Sequence, residues 1–277
     1  MILVYLSRVV SSVALTAILC CPAYATTIVI RLQKGRIVLL ADSRAVDQNP
    51  AGNRVRDDAC KIHRLGSQVL FAETGNDQYQ RSSPTDPIPE WNASDEAIIA
   101  YDRVPEHELQ KVANVWAINV TNNFQLFYRY APQRVRSLSP PGVPFLVGIF
   151  AGRNSEGDLQ VYVVRVELDD SLTSREHAAI PIGHAVDPLD PREMPYSTNG
   201  ITQELIEGKT SRALAVARQW KKKSRKIPLT TSLRGIEFLI ARTGDYDAQV
   251  GGPVNAAQVT NHLTTWLLNR TCKGSDK

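Results

Sequence analysis

The sequence predicts an α+β protein in which strands and helices come in separate blocks. Three observations predict it. Residues 26–74 hold two pairs of strand-like runs, each broken at a turn containing glycine. Residues 95–131 carry helical periodicity. Residues 144–168 return to strand pattern, ahead of a second helical block between 202 and 243. Segregated blocks favour antiparallel sheets with helices layered on them over alternating βαβ units.

Ahead of the first strand, residues 1–25 carry one charge, Arg8, and the apolar run "VVSSVALTAILCC", short for a bilayer span. Ala23 and Ala25 in "AYA" supply the small residues that signal peptidase reads. The stretch reads as a cleaved signal peptide. Its alternatives are an uncleaved anchor and a plain N-terminal helix. Taking 25 residues from 277 leaves Thr26–Lys277, 252 residues. No Gly/Ser-rich linker divides them, so one domain, 26–277, is expected.

"TTIVIRL", "QKGR" and "RIVLLADSRA" read as a hairpin turning at Lys34-Gly35. "CKIHRL" and "QVLFAET" read as a second pair turning at Gly66-Ser67. Residues 78–94, rich in Pro, Ser and Asp, read as loop. Residues 95–131 read as helix with a break at Pro105. "VPFLVGIFAG" and "LQVYVVRVEL" flank the turn residues "RNSEGD", and "HAAIPIG" is a third strand candidate. Helices are predicted at 202–223 and 230–243, a closing strand at "GGPVNAAQVT", and a short terminal helix at "HLTTWLLNR".

The formal charge of +4 falls to +3 without Arg8. "KKKSRK" at 221–226 concentrates it at a predicted helix end, where cations suit the helix dipole. No aromatic residues interleave with it, so nucleic acid is not an expected partner. No Walker phosphate loop, G-x-S-x-G elbow or H-E-x-x-H helix is present. His63, His107, His177, His184 and His262 lack ligand spacing, so neither metal nor cofactor is expected. Cys60 and Cys272 remain after cleavage. They can pair in an oxidising compartment, but their spacing does not decide it. "NAS", "NVT" and "NRT" are sequons that matter only in a eukaryotic secretory pathway.

Cleavage after Ala25 would leave Thr26 first. A threonine hydroxyl is a weak nucleophile and needs an adjacent base. An N-terminal threonine carries one, its own α-amine. The amine has a reference pKa of about 8, and a nearby cation lowers it. Asp42 ends the second predicted strand and Lys61 starts the third. They make a candidate ion pair across a sheet that would supply such a cation. The plain alternative is that Thr-Thr merely starts a strand.

"TTIVIRLQKGRIVLLADSRA" resembles the start of mature proteasome β subunits and their simpler bacterial relatives, the N-terminal-nucleophile threonine peptidases. That family's second strand ends in A-D-x-R-A, matched by Ala41, Asp42, Ser43, Arg44 and Ala45. Its lysine precedes a K-[IV]-x-x-[IL] strand, matched by Lys61 in "KIHRL". The similarity resumes at "PFLVGIFAGRNSEGDLQVYVVRV" and closes at "GDYDAQVGGPVNAAQVT". It is loose through residues 78–140.

The resemblance implies an αββα sandwich of two antiparallel sheets between helical layers. It implies Thr26 as nucleophile and α-amine base, Asp42 as the carboxylate orienting the lysine, and Lys61 as the cation tuning the amine. It implies Asp247 as the acid supporting the N-terminus and Gly75 as the oxyanion-hole donor. The chain departs from the family at Val250, where a serine is usual. It departs at "IPIGHAVDP", where a serine-bearing turn is usual and His184 is the nearest stand-in. It departs at Ala25, where a self-processing glycine is usual.

The expected activity is peptide or amide hydrolysis through an acyl-enzyme, in a secreted or periplasmic protein matured by signal peptidase. Outside the cytoplasm no ATP-driven unfolding partner is expected, so substrates are short peptides, unfolded chains or small amides. The alternatives are an amidase or acylase of the same fold and a secreted scaffold without activity.

Overall fold

A computed structural model describes residues 28–33, 35–49, 52–81, 83–139, 144–154, 156–168, 181–185 and 250–272. Thr26, Asp247, residues 1–25 and the helices predicted at 202–223 and 230–243 lie outside the described residues.

The first predicted hairpin forms as β1 (Ile28–Gln33) and β2 (Arg36–Asp42). A hairpin the sequence reading did not anticipate follows, β3 (Ala45–Asn49) and β4 (Gly52–Arg56). The second predicted pair is β5 (Ile62–Leu65) and β6 (Val69–Gly75). The stretch expected as loop is mostly irregular, but a two-residue ladder closes it, β7 (Gln78–Tyr79) on β8 (Trp91–Asn92).

Asn92 then caps α1 (Ala93–Arg103). Its Oδ1 accepts from the Ser94 and Asp95 amides at 2.8 and 3.3 Å, filling donors that a helix start leaves open. Asp95 and Glu96 in the first turn and Arg103 in the last suit the helix dipole. After the break at Pro105, α2 (Leu109–Tyr130) buries a stripe including Val112, Ala113, Trp116, Val120, Phe124 and Phe127, at helical spacing. Pro132, pre-set for a first helical position, opens α3 (Pro132–Leu138).

The strand pair β9 (Leu146–Arg153) and β10 (Leu159–Leu168) forms as predicted. The third strand candidate overlaps β11 (Pro181–Ala185), and its residues 177–180 lie outside the described residues. The closing strand is β12 (Val254–Thr260). The predicted terminal helix is instead a strand, β13 (Thr264–Leu268). Thr264-Thr265-Trp266 are strand formers, and β12 offers them a ladder. Thr260 Oγ1 accepts from the His262 and Leu263 amides and fixes the turn between the two strands. A nine-residue helix would be marginal by itself.

Two main antiparallel sheets result, β1-β2-β12-β13 and β11-β10-β9-β6-β5. Alternation along β6 sends Leu70 and Ala72 to one face and Val69 and Phe71 to the other. The first face packs on the other sheet, against Ile28, Ile30, Ile37, Leu39, Ala257 and Val259. The second face packs on α1, α2 and α3. There Trp116 lies over Gly148, whose missing side chain leaves room for the indole, and its Nε1 donates to the Ala93 carbonyl at 2.8 Å. Phe71 and Phe150 sit beside it, with ring centroids 5.4 and 5.6 Å away. Truncating an aromatic in such a core to alanine typically costs about 3–5 kcal/mol.

Candidate active site

Four strand ends meet at one end of the sheet pair. Val254, first in β12, pairs with Asp42, last in β2. Ile62, first in β5, pairs with Ala72 on β6, which runs on to Gly75. The end of β2, the start of β5, the end of β6 and the loop before β12 are thus neighbours.

Asp42 and Lys61 form an ion pair there, but it joins the two sheets and does not lie across one. Lys61 Nζ lies 3.1 Å from Asp42 Oδ1, with both side chains buried (3% and 0% exposed). The ammonium also donates to the Arg44 carbonyl. Asp42 Oδ2 accepts from the Gly251 amide at 3.0 Å. Each carboxylate oxygen therefore has a donor, which a buried charge requires. The arrangement holds an ammonium in one place, so it can set the electrostatics of a neighbouring amine.

The Gly251 donor is a residue the sequence reading did not single out. Gly251 and Gly252 have φ of 151° and 74°, a region that favours glycine. A Cβ on Gly251 would lie 2.8 Å from Arg44 Cζ, and one on Gly252 would lie 2.6 Å from Ser43 Oγ. Arg44 braces the same loop. Its amide donates to the Gly251 carbonyl and its Nη1 to the Val250 carbonyl. Its Nε and Nη2 grip Asp57 at 2.7 and 3.0 Å, which holds the Asp57 carboxyl below the usual range. Val250, in the same loop, is fully buried.

Gly75 ends β6 with φ 113°, and a Cβ there would meet the Phe145 carbonyl at 2.5 Å. The Glu73 amide donates to the Lys61 carbonyl, and Gly75 is two residues further along, about 7 Å in a strand. It thus lies at the same sheet end as Lys61. His184 sits on β11, the far edge strand, four strand spacings from β5, or about 19 Å. Thr26 and Asp247 are outside the described residues.

A second ionisable pair, a buried Glu73 beside a partly buried His63, was missed by sequence reasoning. His63 is paired with Phe71 in the ladder, which puts Glu73 on its diagonal, on the helix-facing side. Nε2 of His63 is 3.7 Å from Glu73 Oε1, too long for a hydrogen bond. His63 Nε2 and Glu73 Oε2 find no hydrogen-bond partner among the described residues. Burial pushes the Glu73 carboxyl up to about 7. His63 pulls it down, and Asp77 and Asp95 add to the rise. Only the strand register could have revealed this pair.

Cys60 and Cys272 form a disulfide across 212 residues. Among the described residues no group of three His, Cys, Asp or Glu side chains could hold a metal ion. No described helix is long and apolar enough to cross a membrane. No protein-family model matches this chain, and no curated protein matches it.

Proposed function

We propose that this chain is an exported N-terminal-nucleophile hydrolase that cleaves peptide or small-amide bonds with the Thr26 hydroxyl. The observation that carries the reading is the buried Lys61–Asp42 pair at the end of β2. Ile28 pairs with Ala41, the residue before Asp42. Thr26 precedes Ile28 by two residues, a reach of at most about 7 Å. Chain connectivity therefore bounds how far Thr26 can lie from Ile28, which supports the reading.

In the proposed reaction the Thr26 α-amine takes the hydroxyl proton as Oγ1 attacks the amide carbonyl. The Lys61 ammonium favours the neutral, basic amine. The tetrahedral oxyanion takes a hydrogen bond from the Gly75 amide, an interaction whose loss typically costs about 10²–10³ in rate. The C–N bond then breaks, and the leaving amine receives the proton. Water hydrolyses the resulting ester and restores Thr26. Asp247 is assigned to supporting the N-terminus.

The proposed architecture is the αββα sandwich. Val38, Leu40, Val254 and Ala256 alternate out of phase with the inter-sheet residues, yet all are buried. That supports a fourth layer over the four-stranded sheet, and the helices predicted at 202–223 and 230–243 are its candidates. The Cys60–Cys272 disulfide suits export, with signal peptidase as the maturing partner.

The test is hydrolysis of fluorogenic peptide amides by the chain starting at Thr26, beside thermal melts. Thr26→Ala should fold and be inactive, and Thr26→Ser should retain part of the activity. A Thr26→Ala variant as active as the parent overturns the reading. A second reading, a secreted scaffold without activity, is favoured by Val250, which leaves no hydroxyl at that position. It prevails if all three folded proteins are inactive across a broad peptide and amide set.

A further inference from the structure

The disulfide is placed where it bears on Lys61. Cys60 immediately precedes the lysine, and Cys272 closes the segment that follows β13. That segment is tied to the sheet through Asn255, a fully buried side chain on β12. Asn255 Oδ1 accepts from the Arg270 and Thr271 amides at 2.9 and 3.1 Å, and its Nδ2 donates to Thr271 Oγ1 at 2.6 Å. The Thr271 hydroxyl donates in turn to the Ala59 carbonyl at 3.1 Å. The Ala59 amide donates to the Ser43 carbonyl at 3.0 Å, one residue from Asp42.

These links close a ring. From Asp42 it runs through the ion pair to Lys61, along the chain to Cys60, and across the S–S bond to Cys272. It continues through Thr271 and Asn255 to β12 and returns by the Gly251 amide to Asp42 Oδ2. Lys61 directly precedes β5, at the mouth of the β5–β6 ladder. Its carbonyl accepts from the Glu73 amide at 3.3 Å on one side, and the strap joins the chain on the other.

We propose that the Cys60–Cys272 disulfide, with Thr271 and Asn255, is a positioning strap that sets Lys61 against the nucleophile's amine, so that catalysis depends on the oxidised state of this bond. The inference rests on the reading of Thr26 as nucleophile. Opening the bond with dithiothreitol transfers two electrons and two protons. Cys60 and Cys272 become thiols, and the reductant leaves as its cyclic disulfide. The segment before Lys61 then loses a covalent anchor, while the cores on both faces of the five-stranded sheet are untouched.

A misplacement of about 1 Å can cost about 10²-fold in rate. A displaced ammonium also depresses the α-amine pKa less. The pH at which activity reaches half its maximum should then rise toward about 8, the reference value of an α-amine.

The experiment measures the rate of acylation by a peptide β-lactone against pH. It compares the parent, Cys60→Ala/Cys272→Ala, and the parent reduced in place with dithiothreitol, all below their melting temperatures and checked for fold by circular dichroism. In the acylation, Thr26 Oγ1 attacks the lactone carbonyl, the ring C–O bond breaks, and the alkoxide takes the proton. Open forms should acylate about 10-fold to 10²-fold more slowly, with the half-maximal pH raised.

Folded open forms that match the parent in rate and pH profile overturn the strap. A slower rate with an unmoved pH profile also overturns it, because the bond is then a plain structural staple. If the double variant does not fold, the reduced parent decides. Unfolding of that form as well shows that the bond holds the fold rather than the lysine, which overturns the strap too. A parent that never acylates removes the Thr26 reading and the strap with it, and this outcome is distinct because the open forms play no part in it.

Discussion

Lys61→Met removes the ammonium and keeps most of the stem, so it isolates the charge. In the parent the pair is 3.1 Å apart with almost no solvent exposure. At an effective dielectric near 20, charges at that distance attract by about 5 kcal/mol. Removing one member of a buried pair costs about 3–5 kcal/mol in practice, because the other is left uncompensated. In Lys61→Met, Asp42 keeps the Gly251 amide but loses the ammonium. For a chain of this size each kcal/mol moves Tm by about 2–4 °C, so a drop of roughly 6–20 °C is expected. Urea denaturation of the mature chain should give the matching loss at an unchanged slope. Asp42→Asn/Lys61→Met should recover part of the loss, since no unpaired charge remains. Lys61→Arg should be folded but nearly inactive, because a planar fork does not replace a compact ammonium at a tight site. A Lys61→Met melt within about 2 °C of the parent, or an arginine variant at full activity, refutes the buried-pair reasoning.

Glu73 should make stability fall with rising pH. Burial raises its carboxyl from the ordinary 4.5 to about 7 in the folded state. The folded state therefore holds the extra proton between those values, and its contribution is full below about 4.5 and lost above about 7. The swing is about 3 kcal/mol, and Glu73→Gln should flatten it and raise stability at pH 8; an unchanged pH profile in urea titrations contradicts this. Gly252→Ala would force a side chain onto Ser43 Oγ at a positive φ. It should cost about 1–3 kcal/mol and displace the loop that holds Asp42, and a parent-like melt contradicts it.

Much of this fold could be read from pattern because the pattern was local. The hairpins at Gly35 and Gly66, the helix break at Pro105 and the β9–β10 pair each announce themselves within a dozen residues. β13 did not, since Thr264–Leu268 become a strand only because β12 lies alongside. The β3–β4 hairpin was hidden in a polar run with no alternation of apolar residues.

The site divides the same way. Asp42 and Lys61 stood out as charges at the ends of apolar strands. Gly251 contributes a backbone amide, which leaves no signature in composition. The His63–Glu73 diagonal needs the register of β5 on β6, and the Cys60–Cys272 bond needs the fold to bring together residues 212 apart.

The most direct measurement is mass spectrometry of the exported protein before and after treatment with a peptide β-lactone. An N-terminus at Thr26, carrying one acyl adduct that Thr26→Ala abolishes, is the predicted result. An N-terminus at Thr27 or later, or an adduct that survives Thr26→Ala, would contradict the assignment of Thr26 as nucleophile.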